Sequence, residues 1–212
     1  MLQSPVGLYW HESRVSKLEA VFPTVRNSLI VVAVYVLFHG VTAFLVAPVQ
    51  KLFVSHITVF ASLMYLPHGV RVLTTWLLGW KAIAPLFAGS FCAHFLFTSA
   101  SDRAITDPVL FQSLFVGAFS AYAGFLILRA FGRNIYADES RTLSWKWLLI
   151  VGAIASVFNS IGQSIVFYGL IYPEEALAAL AIFAVGDLVG LVTTMIALLL
   201  IFRWIRLFSE RR

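Results

Sequence analysis

Six runs of apolar residues, each close to membrane length, take up most of the sequence between residues 27 and 203. A membrane helix needs about 20 mainly apolar residues. The runs at 27–47, 52–78, 82–97, 109–128, 147–170 and 176–202 meet that need, the third being short, with Pro85 and Gly89 inside it. Only 12% of the 212 residues are charged, where a soluble domain carries about 25%. Mean hydropathy is +0.90. The expected fold is an all-α, polytopic transmembrane helix bundle of about six helices. It forms a single domain over 27–203, after a lead-in at 1–26 and before a basic tail at 204–212. The lead-in carries Glu12, Glu19 and Pro23 and lacks the continuous apolar core of a signal peptide. It reads as a short amphipathic cytosolic segment.

Charge placement gives the expected orientation. With both termini cytoplasmic, 12 Lys and Arg residues fall on the inner side, only Lys51 and Arg103 fall outside, and Arg71 stays within the membrane. This is the asymmetry of the positive-inside rule. Trp80, Trp145, Trp147 and Trp204 fall at the same inner interface, while Asp102, Asp107, Glu174 and Glu175 lie outside. Short connections predict that consecutive helices are antiparallel neighbours. The net charge of +5 is then a topological record and gives no reason to expect a nucleic-acid partner. The expected location is the bacterial inner (plasma) membrane, crossed several times.

The polar residues inside these runs are the candidate site. The stretch 63–89 holds Pro67, His68, Gly69 and Arg71 in otherwise apolar sequence. An arginine at the bilayer centre costs about 2.5–3.5 kcal/mol on insertion scales, and such a residue is kept where protein or a water-filled cavity surrounds it. At about 1.5 Å per residue, His39, His68, Asn159, Gln163 and Asp187 fall near one central slab, with Arg71 one turn toward the cytoplasm. His56 and His94 fall nearer the outer side. Asn159 and Gln163, four apart, share a helix face. The expected ligand-binding set is His39, His68, Arg71, Asn159, Gln163 and Asp187. Arg71 and Asp187 are expected to approach each other directly or through water. A structural polar network that only fixes helix packing is the competing account. Pro67, Gly69, Gly186 and Gly190 are the expected hinge, the last two forming a GxxxG around Asp187.

Other chemistry leaves little trace. The single Cys92 excludes an internal disulfide and a cysteine metal cage. Phosphate loops, nucleophile elbows, zinc-protease helices and paired catalytic carboxylates are absent, so neither a catalytic residue nor a metal is expected. A haem held between His39 and His68 is an alternative, since a haem between helices needs such axial ligands. It would make the chain a membrane redox protein.

Two blocks carry a family resemblance. Pro67-His68-Gly69-Val70, Leu77-Leu78-Gly79-Trp80-Lys81, then Pro85 and Gly89 form the first. Val185-Gly186-Asp187-Leu188-Val189-Gly190 forms the second. Together they resemble the first class of bacterial membrane-associated sensor domains, the MASE type. The sequence departs from that pattern at Leu66-Pro67, where a double proline is usual, at Ala184-Val185, where an aromatic is usual, and in its six runs against about eight helices. The resemblance implies a membrane-embedded sensory or ligand-binding module of the kind that feeds histidine kinases or diguanylate cyclases. With no output domain before Arg212, it would act as a stand-alone module. It would pass its signal to a cytoplasmic or membrane partner, or work as a homodimer in the lipid bilayer. The alternative is a small-solute transporter or the substrate-binding subunit of a transport complex, similar in size to the six-helix S-components of vitamin importers. Broken helices with polar residues at the midplane suit that role.

Overall fold

The computed structural model describes residues 6–53, 62–98, 107–137, 144–167 and 173–209. His56, Asp102, Arg103, Arg141, Arg211 and Arg212 lie outside them. The described residues are helical apart from short connections, with no strand among them. The helices are α1 (Val6–Val41), α2 (Ala47–Phe53), α3 (Leu66–Leu78), α4 (Ile83–Phe97), α5 (Asp107–Ala130), α6 (Trp145–Val166) and α7 (Pro173–Ser209). Five helical runs are long and apolar enough to cross a membrane: Thr24–Leu52, Leu66–Phe97, Pro108–Ala130, Trp145–Val166 and Leu180–Phe208.

Side-chain placement is inverted relative to a protein in water. Thr75, His68, Ser156, Ser160, Asp187 and Thr194 are fully or almost fully buried, while Leu29, Leu37, Phe44, Leu52 and Ile165 are broadly exposed. A soluble domain puts such residues the other way round. The composition and this arrangement are those of a multi-pass membrane protein.

The count of five differs from the expected six at Leu66–Phe97. That run is one apolar stretch by length, but the chain turns within it. Arg71 Nη2 lies 2.9 Å from the Tyr35 hydroxyl, and a Cβ built on Gly89 would fall 2.9 Å from Tyr35 Cβ. In a continuous helix Arg71 and Gly89 would be ~27 Å apart. The turn sits at Gly79, whose φ of +58° is open to glycine at little cost, and a 3-10 segment, Gly79–Ala82, leads into α4.

The expected helix at 52–78 is also corrected at its other end. Residues 62–65 are not helical, and α3 begins at Leu66 with Pro67 in its first turn. A proline interrupts a helix interior because it lacks an N–H and crowds the preceding turn. In the first turn that N–H has no partner to lose. Pro67 therefore starts a helix here and does not break one. The first helix is longer than the expected 27–47. Helix runs from Val6 through Pro48 to Phe53, with a π-helical stretch, Thr42–Val46, just ahead of the proline. The wider turn makes room where the Pro48 ring would press on the preceding carbonyl.

Packing departs from the expected order of consecutive neighbours. α5 on α6 and α6 on α7 are consecutive pairs, but α1 packs on α4 and α3 on α7. Both of the latter pairs are parallel. Gly89 meets Val32 and Tyr35, while Gly40 meets Phe97. Gly186, Gly190 and Thr194 meet Ser62, Tyr65 and Gly69 in the same order. The short α3 also touches α1, α5 and α6, so it occupies the centre. One apolar cluster lies on its α5–α6–α7 side, around Phe125, Leu148 and Leu191. The other lies on its α1–α4 side, around Tyr35 and Leu86.

Gly69, Gly186 and Gly190 have a packing role in this arrangement. A methyl on Gly190 would strike the Tyr65 carbonyl, and one on Gly186 would strike the Ser62 carbonyl. Gly132 is different: its φ is +76° and nothing lies within 4 Å of a Cβ there. Overpacking a tight contact costs about 1–3 kcal/mol or more, and a left-handed non-glycine about 1–2 kcal/mol. Gly190→Ala should therefore lower the thermal midpoint well beyond Gly132→Ala in the same detergent. Equal losses would contradict the α3–α7 seam.

Candidate functional site

The first turns of α3 place two basic side chains at the centre of the bundle. His68 is fully buried and turned toward α6 and α7; Arg71, one turn on, is 5% exposed and turned toward α1 and α5. The irregular backbone ahead of them has protein partners, as polar backbone away from water requires. Tyr65 N–H donates to the Gly186 carbonyl at 2.9 Å, and Leu63 N–H donates to the Gln50 side chain at 2.7 Å. Thr194 Oγ1 donates to the Leu66 carbonyl at 3.0 Å.

On the α6–α7 side, polar groups form a connected chain across four helices. Asn159 Nδ2 donates to Asp187 Oδ2 at 2.9 Å. Gln163 Nε2 donates to Asn159 Oδ1 at 3.4 Å and to the Ser113 carbonyl at 3.1 Å. Ser113 Oγ returns a bond to Gln163 Oε1 at 2.8 Å. His68 completes the chain: Nε2 lies 3.1 Å from the Gly152 carbonyl, and Nδ1 lies 3.4 Å from Asp187 Oδ2.

The His68 contacts constrain where a proton sits. A carbonyl oxygen only accepts, so Nε2 carries a hydrogen. A neutral ring would then turn the Nδ1 lone pair toward an ionised carboxylate. Nδ1 and Asp187 Oδ2 are within ion-pair distance at 3.4 Å but make no hydrogen bond, so Nδ1 is a buried atom with no hydrogen-bond partner among the described residues.

On the α1 side the arrangement is different. Arg71 Nη2 donates to the Tyr35 hydroxyl at 2.9 Å and to the Tyr65 hydroxyl at 3.4 Å, and those hydroxyls are 3.1 Å apart. The guanidinium carbon lies 5.7 and 5.2 Å from the two ring centroids, within cation–π range. His39, half-buried, stacks on Tyr35 and Phe97 and meets Tyr65 edge-on. No carboxylate among the described residues comes within 4.0 Å of Arg71. The direct approach of Arg71 to Asp187 expected from sequence is therefore not made. Asp187 is taken by His68 and Asn159, while Arg71 faces the tyrosines.

All six expected residues lie in or beside this cluster, in two halves rather than one. His68, Asn159, Gln163 and Asp187 form one half; Arg71 and His39 belong to the other. Tyr35, Tyr65, Ser113 and the Gly152 carbonyl were missed. Tyr35 had a usable signal, since it precedes His39 by four residues and shares its helix face. The Gly152 carbonyl had none, because backbone groups are invisible in residue type. Both ring nitrogens of His68 face protein atoms, so neither is turned toward a haem iron. Among the described residues no three His, Cys, Asp or Glu side chains gather as a metal site.

The tautomer this geometry requires can be observed: labelled-histidine NMR should show His68 Nε2 protonated, and a ring protonated on Nδ1 alone would contradict the bond to the Gly152 carbonyl. No protein family, curated protein or solved structure matches the chain in comparison.

Proposed function

We propose that the chain is a membrane-embedded sensory module whose α3-centred cluster binds a small ligand and passes the bound state along α7 to a partner. The observation that carries this is the seam between α3 and α7. The polar groups that would meet a ligand, His68 and Arg71, stand on a short helix whose start is hydrogen-bonded and closely packed to α7. A ligand that shifts α3 acts directly on α7. At 37 residues, α7 exceeds the ~20 needed to cross a bilayer, and its last turns bear Arg203 and Arg206. In the proposed orientation they project on the cytoplasmic side, where a kinase, a cyclase or a second copy of the chain could read a displacement. The physical requirement is that the ligand binds one arrangement of α3 and α7 better than another.

A transport reading keeps one specific support. α3 starts inside the bundle after irregular backbone, as the discontinuous helices of transporters do. In that case the same cluster would be a substrate site.

The two are separable in one preparation. Native mass spectrometry of gently extracted protein should show a stoichiometric small molecule that Asp187→Asn reduces at least tenfold, while sealed vesicles containing the protein accumulate none of it. Accumulation lost in Asp187→Asn would transfer the assignment to transport. Protein that carries nothing and takes up nothing would leave a packing network.

A further inference from the structure

We infer that the Arg71 half of the cluster is an oxyanion site, which takes the carboxylate or phosphate group of a ligand. This rests on the ligand-binding reading above and names the chemistry of what is bound.

Asp187 is the one carboxylate within the buried cluster among the described residues, and His68 and Asn159 already answer it. Arg71 has no carboxylate within 4.0 Å among the described residues. A buried guanidinium without a contacting counter-ion is costly, and a bound anion supplies one.

Hydrogen-bond accounting points the same way. Only Nη2 of Arg71 has acceptors; Nε and Nη1 have no partner among the described residues. The paired hydroxyls of Tyr35 and Tyr65 share one bond, so one of their two protons is left to donate. His39 Nδ1, beside both rings, also has no partner. The half-site thus holds surplus donors, and an oxyanion supplies acceptors only. Gly117 adds room on the α5 side. A Cβ there would come within 2.5 Å of Nη2 and 2.9 Å of the guanidinium carbon, so glycine is what lets the head group lie flat against that helix. The rings of Tyr35, His39, Tyr65 and Phe97 favour a ligand whose charged end is attached to an apolar body.

The test compares charged and neutral probes of the same shape in a thermal melt at fixed ionic strength. Acetate is compared with acetamide, and octanoate with octanamide, with inorganic phosphate as a third anion. An anion should raise the midpoint by roughly 5 °C near saturation, its amide should not, and Arg71→Gln should abolish the rise. A response to octanoate alone assigns the ligand to the lipid phase; a response to acetate or phosphate assigns it to water. Equal shifts from acid and amide, no shift from any anion, or an undiminished shift in Arg71→Gln would overturn the inference. If Arg71→Gln does not fold, the acid–amide contrast in the unaltered protein decides. A neutral molecule found by native mass spectrometry would overturn the oxyanion site yet keep the sensory reading. Protein that binds neither probes nor any co-purified molecule would end both.

Discussion

A polar group removed from water must be answered by protein, and in a membrane no solvent is left to do it instead. This constraint organises the centre of the molecule. α3 cannot begin inside the bundle unless the backbone ahead of it has partners. Gly186, Gln50 and Thr194 supply hydrogen bonds there, while the bare Cα atoms of Gly186 and Gly190 let α7 come close enough. Once α3 begins at that level, its first turns carry His68 and Arg71 in among α1, α5, α6 and α7. The same rule then recruits Asp187, Asn159, Gln163 and Ser113 around one base, and the two tyrosines around the other.

The division of labour between the two bases follows from their shapes. An imidazole has two donor–acceptor positions at opposite edges, and His68 uses one against Gly152 and one against Asp187. A guanidinium has five N–H donors and no acceptor. Tyrosine oxygens at one corner cannot satisfy it, and Arg71 keeps donors in reserve. Both halves keep unanswered atoms, but their kind differs: His68 has one ring nitrogen without a hydrogen bond, while Arg71 keeps two guanidinium nitrogens that can only donate.

Much of this was legible in the sequence because hydrophobic run length and charge are strong signals. Helices near 109–128 and 147–170 appear within a few residues of expectation, the one expected at 176–202 runs on to Ser209, and the intramembrane polar residues do share a central region. What misled were the prolines. Pro67 reads as a break when its neighbours are taken for helix, yet it opens one, since the residues before it are tied to α7 by contacts more than a hundred positions away. Pro48 reads as an end, yet a π-helical stretch carries the helix past it. The direct contact of Arg71 with Asp187 is not made for a related reason. Opposite charges at similar depth invite a pair, but which helix face each occupies depends on packing order, and that order is not consecutive. Tyrosines, common in apolar runs, did not stand out as partners for a guanidinium.

The parallel pairing of α3 with α7 has a consequence for the order in which the protein is made. A 13-residue helix spans ~20 Å, less than the ~30 Å of hydrocarbon it would have to cross. The groups that satisfy its first turn belong to α7, made more than a hundred residues later. Until α7 arrives, His68 lacks Asp187, the Leu66 carbonyl lacks Thr194, and the Tyr65 amide lacks Gly186. The centre of the bundle therefore cannot mature helix by helix from the N-terminus. It closes in a single late step, and a chain cut short before α7 would keep its apolar runs but lose the site.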